Sequence, residues 1–120
     1  MKGIGCDLVE IERIEQSLEK YGQSFKNKVF TSLEQSYCDS KKHSAQHYAV
    51  RFAAKEAVAK ALGCGFGEHL AFLDVEIIQD ESGKPHVALS EKAKAAHNNP
   101  KLHVSLSHSR GLAQAIALCE

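Results

Sequence analysis

The chain has 120 residues, with 15 Lys plus Arg against 15 Asp plus Glu and 43% apolar residues. This is ordinary globular composition of single-domain length, read as one domain over residues 1–120. Zero net charge argues against a generic polyanion binder, and no apolar run approaches the roughly 18–20 residues of a membrane span.

From Lys20 to Lys60 there are eight cations and three anions, a net of +5, so the remainder carries −5. The neutrality is therefore a cancellation, and a basic patch can attract phosphates or an acidic partner. The N-terminus turns polar within seven residues and lacks an apolar signal region. Four cysteines (Cys6, Cys38, Cys64, Cys119) are widely spaced with no Cys-x-x-Cys. That usage fits a reducing, cytoplasmic location better than a disulfide framework.

In chain order, Ile4–Val9 reads as a short strand opening into a helix. Ile11, Ile14 and Leu18 form its apolar stripe, and Gly22 is its C-terminal stop. Thr31-Ser-Leu-Glu34 fits a capping box for a short helix through Tyr37, with Glu34 read as a cap only. The longest helix is expected over about Ala45–Leu62, rich in strong helix formers and ended by Gly63. Phe72–Ile78 reads as a strand, Asp80–Pro85 as a turn, and His86–Leu89 as the second strand of a hairpin. Ser90 caps a helix through His97, and Asn98-Asn99-Pro100 breaks it. Leu102–Ser107 alternates apolar and polar residues, and Leu112–Cys119 is a final apolar strand. The pattern is α+β: a small antiparallel sheet packed with a long central helix and shorter helices.

Several residues could carry chemistry. Asp7, at a strand end, suits either a helix cap or a metal ligand. Glu56 and Lys60 share one helix face with Phe52, so they are either an exposed ion pair or part of a covered surface. If Asp7 and Glu56 converge, they form the sparse carboxylate set that Mg²⁺ uses when phosphates and water complete its octahedron. Lys60 would then be a point charge for a phosphate oxygen. Gly63-Cys-Gly65-Phe-Gly67 follows a helix, so it is a helix stop and turn or a backbone-donating ligand loop, but not a P-loop, which precedes one. Ser107 and His108 are adjacent on a strand and point to opposite faces, which disfavours a serine–histidine hydrolase. Cys38, His43 and His47 lack a fourth zinc ligand at conventional spacing.

Five motifs occur in order: Met1-Lys-Gly-Ile-Gly-Cys-Asp7-Leu-Val-Glu-Ile-Glu-Arg13-Ile, Phe30-Thr-x-x-Glu34, Arg51-Phe-Ala-Ala-Lys-Glu56-Ala-Val-Ala-Lys60-Ala-Leu-Gly63, Gly83-Lys-Pro85 and Ser105-Leu-Ser107-His108-Ser109. Together they resemble the bacterial holo-acyl-carrier-protein synthases, the small branch of the phosphopantetheinyl transferases. The resemblance spans essentially the whole chain. It implies a Mg²⁺-dependent enzyme that moves the phosphopantetheine arm of coenzyme A onto a serine of apo acyl carrier protein, in fatty acid biosynthesis. It also implies a homotrimer with active sites between subunits. Carried over residue by residue, Asp7 and Glu56 become the metal ligands and Lys60 a catalytic cation. Arg51 and His108, with Lys60, contact coenzyme A, and Gly65 and Pro85 line its pocket. Lys41 and Lys42 are candidates for the ribose phosphate. Arg13 and Lys20, seven apart on one face of the first helix, would meet the carrier, with Lys26 and Lys28 as the alternative. Cys6 and Leu112 depart from the family's usual residues. So does the acidity of the first helix, which carries Glu12, Glu15 and Glu19 just after Glu10. The competing reading is a non-catalytic module that binds RNA or an acidic protein through the +5 segment, although aromatics for base stacking are only 7%.

Overall fold

A computed structural model describes residues 2–120. Gly3–Glu10 forms β1 and runs straight into α1, Ile11–Tyr21. Gly22 adopts a positive φ of 54° and turns the chain from α1 into α2, Gln23–Val29. This second helix has no counterpart in the sequence reading. It is seven residues long, too short for periodicity to stand out.

The capping box forms as expected at α3, Ser32–Asp39: Glu34 N donates to Thr31 Oγ1 and Thr31 N donates to Glu34 Oε1. The long helix α4, Ser44–Leu62, ends on Gly63 in the left-handed conformation. Alanines predominate among its buried positions, which let neighbours approach closely on several sides. Phe72–Asp74 is a 3₁₀ turn rather than the start of a strand, because Asp74 Oδ2 accepts from Ala71 N and coils the segment. The hairpin follows as β2, Val75–Gln79, and β3, Pro85–Leu89. Ser90 caps α5, Glu91–Ala96, through Ala93 N. The last pair is β4, Leu102–Ser109, and β5, Leu112–Cys119. They are joined by Arg110 and Gly111, both at positive φ, as a tight two-residue hairpin requires.

The architecture is α+β with two antiparallel sheets. The first has the order β1-β5-β4 and the second is the β2-β3 hairpin. One face of the larger sheet packs on α4. In β5, Ala113, Ala115, Ala117 and Cys119 point inward and are buried, while Leu112, Ile116 and Leu118 point out and are exposed.

Close packing of α4 on β1 depends on two glycines. A Cβ on Gly3 would lie 2.0 Å from Ala61 O, and one on Gly5 would lie 2.1 Å from Ala57 O. No side chain fits there, so α4 rests directly on the β1 backbone. A glycine in a strand commonly marks such a close backbone approach.

Candidate active site

That close approach sets the first half of the site. β1 alternates, so Gly3, Gly5 and Asp7 share the face that meets α4. Lys60 Nζ donates to Asp7 Oδ1 at 3.0 Å and to Cys6 O at 2.9 Å. Asp7 is therefore not the cap of α1: Glu10 occupies that position and makes no side-chain cap bond. Asp7 and Glu56 line one cleft of about 660 Å³, together with Arg13, Phe25 and Phe52. Burial raises the Glu56 pKa, the Asp7 charge raises it further, and Lys60 partly offsets both.

Two carboxylates that repel each other, with a lysine as their nearby cation, suit a hard divalent ion. Among the described residues no group of three or more His, Cys, Asp or Glu side chains is placed to hold a metal. The protein thus offers Asp7 and Glu56 alone, and a ligand's phosphates and water would supply the other oxygens. That donor set fits Mg²⁺.

The second half lies elsewhere. Arg51 and His108 line a separate pocket of about 160 Å³ with His47, Tyr37 and Gln79. It has no lining residue in common with the carboxylate cleft. Arg51 and Glu56 are five residues apart on α4, hence about 140° around its axis. Arg51 is only 2% exposed, with its guanidinium 4.1 Å from the Tyr37 ring centre. It donates from Nη2 to Gln79 Oε1 at 3.1 Å and from Nη1 to His47 O at 3.3 Å. Its Nε is buried without a hydrogen-bond partner.

The remaining candidates divide between these regions. Pro85 pairs with Gln79 across the hairpin, beside the basic pocket. Lys41 lies over the Tyr37 ring at 4.8 Å, whereas Lys42 lines a different hollow with Glu15 and His43. Gly65, exposed at a φ of 64°, sits in the turn after α4 and lines none of the pockets described here. Arg13 and Lys20 are exposed on α1, and Arg13 borders the carboxylate cleft. Cys38 is buried with its thiol pushed up to about 12, and among the described residues it forms no metal-holding group with His43 and His47.

Glu34 is more than a cap. Its Oε1 pairs with Lys55 Nζ at 2.7 Å, both side chains being fully buried, and its Oε2 accepts from Ile77 N at 2.7 Å. Lys55 also donates to Val29 O, Phe72 O and Val75 O. Thr31-x-x-Glu34 accounted for the cap, but nothing local marked Lys55 as buried.

An α+β chain with Asp7 and Glu56 in a cleft on one side of its central helix and a cation-lined pocket on the other defines the class. Within it, the chain belongs to the 4′-phosphopantetheinyl transferase superfamily, whose family model matches residues 3–118. It is 52% identical over 116 residues to a holo-[acyl-carrier-protein] synthase of Protochlamydia amoebophila, covering 97% of this chain and 95% of that one. Among solved structures it resembles the Helicobacter pylori holo-[acyl-carrier-protein] synthase in complex with coenzyme A. That match has a TM-score of 0.90 and 33% identity, over 98% of this chain and 99% of that one. The Neisseria meningitidis enzyme matches at a TM-score of 0.93 and 29% identity, over 100% and 98%.

Proposed function

We propose that this chain transfers the phosphopantetheine arm of coenzyme A to a serine of apo acyl carrier protein. The observation that carries this reading is that Asp7 and Glu56 line one cleft and Lys60 bonds to Asp7, in a family member whose relatives are holo-acyl-carrier-protein synthases. The coenzyme A complex of the Helicobacter pylori relative supports the donor substrate.

In the reaction, the carrier serine Oγ forms a bond to the phosphorus on the pantetheine side. The P–O bond to the second phosphate breaks, and adenosine bisphosphate leaves. Asp7 and Glu56 would hold Mg²⁺, which when bound would offset the diphosphate charge. Lys60 Nζ, on its flexible stem, neutralises charge that develops on the leaving phosphate. The serine proton passes to a carboxylate oxygen of the Asp7–Glu56 pair. Such catalysis rests mainly on positioning and electrostatics. Arg13, on the rim of the cleft, is placed to meet an acidic carrier near the reacting serine, with Lys20 two turns further along the same face.

A single subunit holds the cleft and the basic pocket on different sides of α4. One coenzyme A can use both if a second copy completes the site. The exposed apolar face of the larger sheet (Ile4, Leu8, Leu112, Ile116, Leu118) supports association as a homotrimer. Among the described residues no helix is long and apolar enough to cross a membrane.

Intact mass tests the reading. With coenzyme A, Mg²⁺ and apo carrier, the carrier should gain one phosphopantetheine, and chelation should stop the gain. Asp7→Asn and Glu56→Gln should each slow it by at least about a hundredfold. An unmodified carrier under these conditions refutes the proposal, and salt-sensitive RNA binding without transfer would favour the binding-module reading.

A further inference from the structure

The transfer chemistry assigns no role to His47, yet His47 stands in the pocket with the buried Arg51 and with His108. It precedes Arg51 by one helical turn on α4, and His43 lies one turn further back. Its ring meets the Tyr37 ring edge-on at 5.8 Å, and Tyr37 also carries Arg51 and Lys41 on its face. The groups facing it are thus Tyr37 from α3, Lys41 and His43 from the segment entering α4, Arg51 from α4 itself and His108 from β4. No carboxylate lines the pocket. The unpartnered Nε of Arg51 is a buried donor, and such a group ordinarily finds an acceptor.

We propose that His47 joins Arg51 and His108 as a proton-dependent donor to a phosphate monoester, the one at the nucleotide end of coenzyme A. This rests on reading Arg51 and His108 as coenzyme A contacts. The choice of phosphate follows from the separation of the two pockets. The diphosphate is the bond that breaks, so it belongs with Asp7, Glu56 and Lys60. Coenzyme A carries one other phosphate, the monoester on its ribose, and that is the anion left for the cation-lined pocket.

The proton balance has a definite sign. Burial lowers the His47 pKa, and the charges of Arg51, Lys41, His108 and His43 lower it further, so the empty pocket holds a neutral imidazole near pH 7. A bound dianion reverses that electrostatic balance and raises the His47 pKa. Binding therefore takes up a proton, and the extra affinity is full below the free-state pKa and disappears as pH rises through the bound-state pKa.

Calorimetry on the full chain tests this, with adenosine 3′,5′-bisphosphate as probe and adenosine 5′-monophosphate as control. Runs in two buffers of different ionisation heat report protons taken up. The wild type should take up a fraction of a proton with the bisphosphate at pH 7 and less with the monophosphate. His47→Gln should remove that difference and weaken bisphosphate binding about three- to tenfold at pH 6.5, with little effect at pH 8.5. Unchanged proton uptake and affinity in His47→Gln overturn the inference. If that variant does not fold, NMR titration of the His47 ring in the wild type decides, because a pKa that does not rise on bisphosphate binding also overturns it. Arg51→Met separates the two levels: unchanged bisphosphate affinity there refutes the underlying phosphate pocket, whereas weakened affinity beside an unaffected His47→Gln refutes the His47 role alone.

Discussion

Side chains of one chemical type serve different ends according to burial. Lys55 and Lys60 are five residues apart on α4, yet Lys60 is half exposed beside Asp7 and Lys55 is sealed against Glu34. Lys60 keeps its charge available to a ligand. Lys55 shares its three protons among Glu34 and the carbonyls of Val29 at the end of α2, Phe72 at the start of the 3₁₀ turn and Val75 at the start of β2. Removing one member of such a pair leaves a buried charge unmatched. We expect Lys55→Met to destabilise the fold by about 3–5 kcal/mol in urea unfolding, with Lys55→Met/Glu34→Gln less affected than the sum of the single changes. Lys60→Ala should leave stability within about 1 kcal/mol, because its pair with Asp7 is partly exposed, while transfer to the carrier falls sharply.

Contacts between elements set the geometry of the cleft. Gly5 lets α4 lie on β1 so that Asp7 and Lys60 can meet, and a methyl group there collides with the backbone of α4. Gly5→Ala should cost at least about 1–3 kcal/mol in unfolding and reduce transfer even where the protein remains folded, since separating α4 from β1 pulls Lys60 away from Asp7. Asp74 ties the start of the hairpin to α5. It accepts from Ala71 N at 2.9 Å and from Ser90 Oγ at 2.7 Å, and these bonds, the Ala71 amide first, hold its pKa below the usual carboxylate range. A lowered carboxyl pKa contributes stability above the unfolded-state value and loses it as pH falls through the folded-state value. Asp74→Asn should therefore lower the melting temperature at pH 7, and the gap from wild type should narrow below pH ~3.8, the ordinary aspartate value.

The whole molecule is polarised in two ways. Charge is divided between a cleft lined by Asp7, Glu10 and Glu56 beside Arg13 and a pocket with an arginine and histidines, on different sides of α4. The larger sheet buries one face and leaves the other apolar and exposed, and a soluble monomer rarely keeps such a continuous patch. Cys6 and Leu112, two of the positions read from the sequence as unlike the family's usual residues, both lie on that outer face. Ile116→Glu should shift the chain toward monomer in sedimentation and take activity with it. If neighbours complete each other's sites, inactive Asp7→Asn and Arg51→Met subunits refolded together at equal amounts should recover about a quarter of wild-type activity, because random assembly joins two intact halves at that fraction of interfaces. No recovery, with mixed assembly verified by mass, would place each complete site within one subunit.

Local chemistry was legible without the fold. Thr31 and Glu34 announced a capping box because their bonds span three residues, and Gly63 announced the end of α4 because only the adjacent carbonyls decide that stop. The spacing of Glu56 and Lys60 placed them on one helix face, and the likeness to a known family supplied Asp7 as their partner. The short α2 and the 3₁₀ turn at Phe72 were missed, since a seven-residue and a three-residue element give periodicity little to act on. Other features depended on contacts between residues far apart in the chain. Gly3 and Gly5 look like any strand glycines until α4 rests on them, and Lys55 looks like a surface lysine until Glu34, 21 residues earlier, closes over it. The sequence by itself determined which helices and hairpins can form and which residue types are at hand for phosphate chemistry, because those depend on neighbours within a turn or two. Only the tertiary structure decided that β1 brings Asp7 to the Glu56 side of α4, that β4 brings His108 to the Arg51 side and that one sheet face stays uncovered, because those follow from how separate elements pack.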